Sequence, residues 1–345
     1  LKLFTVSCLL LVVLMIPLAA FFLSGEATAR LSLVSITDDP GFVLRINEAR
    51  GNLNLPEPIP ILVHNKVTHF AYVFTKNYLS HFTPSYLFVS GAGHKQHHVQ
   101  NIGQLYLFQA PFVLIGLIYL FSKRNKFRWL IVSWILLSFI PVSITIDSIP
   151  HALRTLIAAP AYQIVTAFGL YATFEYLKKK EEVWLFVGGG VVVLICLLNM
   201  NAYLNNYYNV YPKLYSRDWQ YGYKQAVSYI RDHYDEYDLI VFTRHYGEPH
   251  MFTLFFMGWD PARFQNDPNL VRFETFDWVR VLKFDKFYFP DLGDKGTQFN
   301  DIRGENSGKK ILFIGKPGDF SQDLPKLLTV DFLNGQRAFE VVEGR

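Results

Sequence analysis

The chain has 345 residues, of which 51% are apolar and 18% charged, with a net charge of +4. So small a charge excess gives no nucleic-acid signal, and the charged share is more than a bare helical bundle carries, so the composition points to a membrane protein with a sizeable water-exposed part. The two cysteines, Cys8 and Cys196, both fall in apolar runs and supply no disulfide framework, so the exposed regions must fold by packing alone.

In chain order, residues 3–23 form the first run long enough to cross a bilayer, which takes about 20 mostly apolar residues. A cleaved secretory signal, with Lys2 at its basic end and Leu18-Ala19-Ala20 near its exit, is the alternative, but the apolar core is long for one. The first residue is Leu rather than Met, so an upstream piece is expected. Four more spans follow at 104–121, 129–146, 153–176 and 183–203. Between them lie two basic stretches, Lys123, Arg124, Lys126 and Arg128, then Lys178, Lys179 and Lys180, which the positive-inside rule places in the cytoplasm. Alternation then puts 25–103, the link 147–153 and everything after about 205 on the outer face.

The outer loop is too long for a connector, and the helical spacing of Phe70, Val73, Phe74, Asn77 and Tyr78 predicts a folded or membrane-hugging helix over 69–79. Tyr203, Tyr207, Tyr208, Tyr211, Tyr215, Trp219, Tyr221 and Tyr223 read as an interfacial aromatic belt where the last span leaves the bilayer. Beyond it, Tyr223, Ala226, Val227 and Ile230 make one apolar face of a helix over 219–233. Strands are expected at 238–243, 286–289 and 310–314, with a turn at 244–249. The expected architecture is a polytopic α-helical membrane protein with a C-terminal extracytoplasmic α/β domain. It divides into a transmembrane helix at 1–24, an extracytoplasmic loop region at 25–103, a four-helix transmembrane region at 104–204 and the α/β domain at 205–345. No glycine-rich phosphate loop accompanies the strands, so a Rossmann nucleotide site is not supported.

The outer segments run in a suggestive order. Arg30 and Ser35-Ile36-Thr37-Asp38-Asp39-Pro40-Gly41 come first, then His64-Asn65-Lys66, Asn77-Tyr78-Leu79-Ser80-His81-Phe82 and Pro150-His151-Ala152-Leu153-Arg154. This series resembles the C-terminal half of multi-spanning bacterial glycosyltransferases of GT-C architecture, the group of dolichyl-phosphate-mannose protein mannosyltransferases and aminoarabinose transferases. The resemblance covers most of the chain through short motifs. It implies sugar transfer with inversion from a polyprenyl-phosphate carrier to a protein, lipid or glycan acceptor at the outer membrane face. It also places the catalytic acid in a first outer loop, before several spans with no counterpart here, so this sequence is expected to be the C-terminal portion of a longer enzyme.

Arg154 is the leading site candidate: a guanidinium at the outer mouth of a span can hold a lipid phosphate bidentately, and His151 one turn earlier adds a donor. The competing role is a helix-end anchor that snorkels to the headgroups. His64 and Lys66 offer further donors to carrier phosphate or sugar, or are ordinary loop residues. Asp38 and Asp39 could hold a divalent cation or activate an acceptor hydroxyl, while Asp-Asp-Pro-Gly also reads as a plain turn. His94, Lys95, His97 and His98 carry enough imidazoles for zinc but lack a nearby acidic or Cys ligand, which favours a solvated loop. Arg244, His245, Glu248 and His250, just after a strand end, are candidates for acceptor recognition or for docking onto the membrane part. The main rival to a transferase is a non-enzymatic membrane anchor whose outer domain binds a partner or a glycan. A transporter ranks third, because the spans hold almost no charge.

Overall fold

The computed structural model describes residues 2–23, 34–274, 279–293 and 298–344; Arg30 lies outside them. The chain is a mixed helix and sheet protein that divides into two compact units, Leu1–Tyr203 and Leu204–Arg345.

The first unit is helical. It contains α1 (Lys2–Leu23), α2 (Phe42–Gly51), α3 (Lys66–Ser80), α4 (Ala110–Ser122), α5 (Arg128–Ser138), α6 (Ala159–Lys178) and the start of α7 (Glu182–Asn205). Among the described residues, two continuous helical stretches, Leu153–Lys178 and Glu182–Tyr215, are long and apolar enough to cross a membrane; Leu107–Ser122 and Arg128–Ser143 are apolar but shorter. The run expected to span 129–146 stops at Ser143, because Ile144 turns the chain out of the helix and Thr145 bridges to Ser35. Ile36 N–H donates to the Ile144 carbonyl at 2.9 Å and Ile146 N–H to the Val34 carbonyl at 2.8 Å.

The tightest packing in this unit is α4 against α6. Gly116 sits so close to α6 that a Cβ would fall 2.0 Å from the Val165 carbonyl oxygen, and one on Gly169 would fall 1.9 Å from that of Phe112. Backbones can approach this closely only where both helices present small residues. Val113, Leu120, Ala161 and Val165 fill the seam on either side.

Helix α3 starts where local chemistry dictates. Asn65 accepts from the Val67 and Thr68 N–H groups, while Thr68 Oγ1 accepts the Asn65 N–H, a reciprocal capping box. It runs over Lys66–Ser80, a turn longer than the apolar spacing predicts.

The second unit carries a seven-stranded sheet in the order β2-β3-β4-β1-β5-β7-β6. The strands are β1 (Leu239–Phe242), β2 (Val271–Glu274), β3 (Val279–Phe284), β4 (Phe287–Tyr288), β5 (Ile311–Gly315), β6 (Leu328–Asp331) and β7 (Arg337–Gly344). The central trio β4, β1 and β5 is parallel, and the flanking pairs are antiparallel. Helix α8 (Tyr223–Asp232) lays Tyr223, Ala226, Val227 and Ile230 on one face, against Ile240, Phe242, Leu312 and Ile314. Its first turns are irregular, so the helix begins at Tyr223 rather than 219; Gly222, at φ 110°, supplies the left-handed residue that turns the chain into it. Helix α9 (Pro249–Met257) packs beside α8, with Phe252 stacked on Tyr223 at 4.3 Å. The opposite face, Val241, Ile311, Phe313 and Val342, is covered by Phe299 and Ile302 of α10 (Phe299–Glu305) and by Phe320. Covering on both sides is why β1 and β5 read as unbroken apolar runs.

Candidate functional site

A polar assembly of the first unit forms where the link before Leu153 meets α3 and the loop at 91–103. His81, at the C-terminus of α3, is fully buried, stacked on Phe139 at 5.4 Å and edge-on to Tyr86 at 5.2 Å. Its Nδ1 lies 2.7 Å from the Asn77 carbonyl and its Nε2 accepts the His151 backbone N–H at 3.1 Å. Those partners fix the tautomer with the proton on Nδ1. Burial holds the ring below its ordinary pKa, against the opposing pull of the Asn77 carbonyl. Asn77 reaches the other way, its Nδ2 donating to the Ser143 and Thr145 carbonyls at 3.2 and 2.9 Å. One turn of α3 thus clamps both ends of the 143–151 link.

His151 is buried, and its Nδ1 accepts the Arg154 N–H at 3.3 Å, so its own proton sits on Nε2. Burial first, then the Arg154 guanidinium and the His97 ring, push its pKa down to about 4. Two more imidazoles from the 91–103 loop complete the group. His94 and His97 stack at 3.9 Å between centroids, and His97 lies 4.9 Å from His151. The Nδ1 atoms of His94 and His97 are buried with no hydrogen-bond partner. His97 is held below its ordinary pKa by burial and then by His94. His98 turns away and places Nε2 2.5 Å from the Ile102 carbonyl. The four residues read as one solvated loop therefore split, and half of them join the site.

Arg154 donates one arm to Thr145 Oγ1 at 2.9 Å and the other to Asp147 Oδ2 at 3.0 Å. Burial raises the Asp147 carboxyl, but the Ser148 hydroxyl and the Arg154 guanidinium outweigh it and hold the group below its usual value. Below this layer, Tyr86 Oη and Thr155 Oγ1 meet at 2.6 Å, and Thr155 donates to the His151 carbonyl at 2.8 Å. Among the described residues no three His, Cys, Asp or Glu side chains converge in an arrangement that could hold a metal ion. The arrangement offers a fixed guanidinium and imidazoles with unsatisfied ring nitrogens at the start of an apolar helix, which suits an anionic oxygen group.

No family model, curated protein or solved structure matches the chain.

The other expected site residues have local partners elsewhere. Asp39 Oδ1 accepts the Gly41 N–H at 2.9 Å and its other oxygen pairs with Arg45, while Asp38 accepts from Thr37 Oγ1 at 3.3 Å. This is an Asx turn opening α2. The His64 carbonyl accepts Arg50 Nε at 2.6 Å, and the Lys66 ammonium lies 5.5 and 5.8 Å from the Phe42 and Phe70 rings. In the second unit, Arg244 lies over Phe273 at 5.1 Å and pairs with Asp291 at 3.4 Å. Glu248 pairs with Arg280 at 2.7 Å, and its other oxygen is 3.5 Å from His250 Nδ1, too far to satisfy that buried nitrogen. His245 is exposed after β1. Sequence reasoning reached Arg154 and His151 but gave no role to Thr145, Asp147, Tyr86 or Thr155. The one available signal for Asp147 was its place, a lone acid in the short link between two apolar runs.

Proposed function

We propose that the chain is a multi-pass membrane glycosyltransferase, or a portion of one, that takes a sugar from a polyprenyl-phosphate carrier and passes it to an extracytoplasmic acceptor. The observation that carries the reading is the cluster of Arg154, His151, His94 and His97 at the head of Leu153–Lys178. At about 1.5 Å per residue those 26 residues reach roughly 39 Å, more than the ~30 Å hydrocarbon core, which is long enough for Arg154 and the Lys178–Lys180 triplet to lie at opposite faces of a bilayer in the proposed topology. A phosphate at the head of this helix would sit in the headgroup layer, with its polyprenyl tail in lipid beside the apolar helices.

In the reaction proposed, the acceptor oxygen attacks the anomeric carbon from the side opposite the carrier. The new C–O bond forms as the bond to the carrier phosphate breaks, the acceptor proton passes to a general base, and polyprenyl phosphate departs. Arg154 and the imidazole N–H groups neutralise the charge that grows on that phosphate. Asp147 is tied to Arg154 and held ionised, so its role is to orient the guanidinium; the proposal draws its general base from outside this cluster. Lys66, Asp38 and Asp39 stay outside the proposed carrier site because their side chains have local partners, and His64 is left out because its backbone carbonyl, not its ring, is what Arg50 engages. Arg244, His245 and Glu248 stand as acceptor-side candidates on the second unit.

The test is binding and turnover in the same preparation. The solubilised full chain is expected to be stabilised against heat by polyprenyl phosphate and not by polyprenol, and Arg154→Ala is expected to abolish that difference. In transfer assays from a polyprenyl-phosphate sugar, Arg154→Ala should raise the barrier by about 2 to 4 kcal/mol, by comparison with loss of one oxyanion donor. Arg154→Lys should retain part of the rate, keeping charge without the planar fork. Equal stabilisation by polyprenol, or full turnover in Arg154→Ala, would reduce Arg154 to a helix-end anchor locked by Asp147.

A further inference from the structure

From the second unit we infer a binding site for a neutral sugar ring, in the cleft between α10 and the segment that follows β5. The cleft has a volume of about 310 Å³, at the lower end of the ~300–1,000 Å³ range of ligand pockets. That suits a single ring better than an extended chain. The walls of the cleft are α10 with the residue before it, which follow β4 in the chain, and the segment 319–324 that follows β5. Helix α10 links β4 to β5, crossing the sheet on the face opposite α8 and α9.

The lining decides the ligand class. Its polar residues are Gln298, Asn300, Arg303, Asp319, Ser321 and Asp323. The side chain of Asp319 is buried and fixed by its own loop: Lys316 N–H donates to Oδ2 at 2.8 Å and the Lys316 ammonium to Oδ1 at 2.5 Å. The loop is pinned from behind, since the Lys326 ammonium donates to the Ser321 carbonyl at 3.2 Å and pairs with Glu340 at 3.1 Å. Gln298 gives its amide N–H to the Gly293 carbonyl at 2.8 Å, which leaves its Oε1 to accept. Asn300 and Arg303 stand three residues apart on one side of α10, and Asp323 belongs to the other wall. Their side chains have no ion pair or hydrogen bond among the described residues.

Charge in the cleft nearly cancels, Lys316 against Asp319 and Arg303 against Asp323. An anion would meet two carboxylates with a single unpaired cation to offset them, and an apolar ligand would strand the polar walls. Amide, guanidinium and carboxylate groups each present two donor or acceptor atoms in a plane. That pattern matches neighbouring hydroxyls, which both donate and accept. A polyhydroxylated ring satisfies it.

Binding is measured on the full chain in detergent by saturation-transfer NMR with the methyl pyranosides of glucose, galactose, mannose and N-acetylglucosamine, and with inorganic phosphate as competitor. At least one glycoside should show transfer to its ring protons, weakened about tenfold in Asn300→Ala and in Asp323→Ala, the effect of losing one well-placed hydrogen bond. Both positions are exposed, and unchanged melting curves would show that the variants fold. No signal from any glycoside, equal signals in the variants, or displacement by phosphate would overturn the assignment. The measurement uses no lipid carrier and no transfer, so its outcome stands apart from the glycosyltransferase reading.

Discussion

His81 shows how one side chain can set a site without facing it. Its ring bridges the Asn77 carbonyl and the His151 N–H, so the imidazole must be neutral and its tautomer fixed. His151 is depressed to about 4, and the ordinary value for both rings is 6.5. Between those values the unfolded chain binds protons that the folded one refuses, so stability falls as pH drops through the window and is fully present above it. The melting temperature of the solubilised protein should therefore decrease between about pH 7 and about pH 5. His81→Gln keeps an acceptor for the His151 N–H but cannot take up a proton, and it should flatten that slope. A slope identical to that of the parent protein would show that His81 does not supply it.

At the scale of elements, the close approach of α4 and α6 makes a sharp test. Any side chain at Gly116 or Gly169 meets backbone, not a flexible tip, and backbone yields only if the helices part. Gly116→Val should cost about 1 to 3 kcal/mol, the usual range for overpacking, and shift the thermal transition accordingly. Gly189→Val is the control, since nothing lies within 4 Å of a Cβ there. Equal effects at the two positions would mean that helix propensity, not packing, sets the cost.

What could be read from the sequence follows the same local logic. The strands at 238–243 and 310–314 and the helix over 69–79 are visible because each carries its own period or apolar run, and the structure has Leu239–Phe242, Ile311–Gly315 and Lys66–Ser80 there. Strands β2, β3, β6 and β7 escaped notice: Val271–Glu274 and Val279–Phe284 mix charges into short segments, and their pairing is set by neighbours rather than by their own pattern. The site divides in the same way. Arg154 and His151 share a helix start and were paired by spacing, whereas His94 and His97 meet His151 only through the fold of a loop dozens of residues earlier. The lack of a nearby acidic or Cys ligand favours a solvated loop for 94–98, but sequence does not show that neighbouring residues can point apart, as His97 and His98 do.

For the molecule as a whole, the surface of α7 is the strongest physical argument about surroundings. Not one residue of Glu182–Asn205 is buried, yet Phe186, Val193 and Leu198 are among the large apolar side chains it exposes. A water-facing helix of that composition would be a severe aggregation liability, and a lipid-facing one is ordinary. With the basic triplet just before it, the proposed topology sends this helix outward and leaves the second unit on the extracytoplasmic side. Reporter fusions decide the point. A periplasmic reporter should be active after Gly247 and silent after Asn125, and a cytoplasmic reporter should give the reverse. If the cytoplasmic reporter works after Gly247, the sheet unit lies inside. Arg154 would then be at the wrong face for a carrier whose sugar is delivered outside, and the transferase reading would fall with the topology.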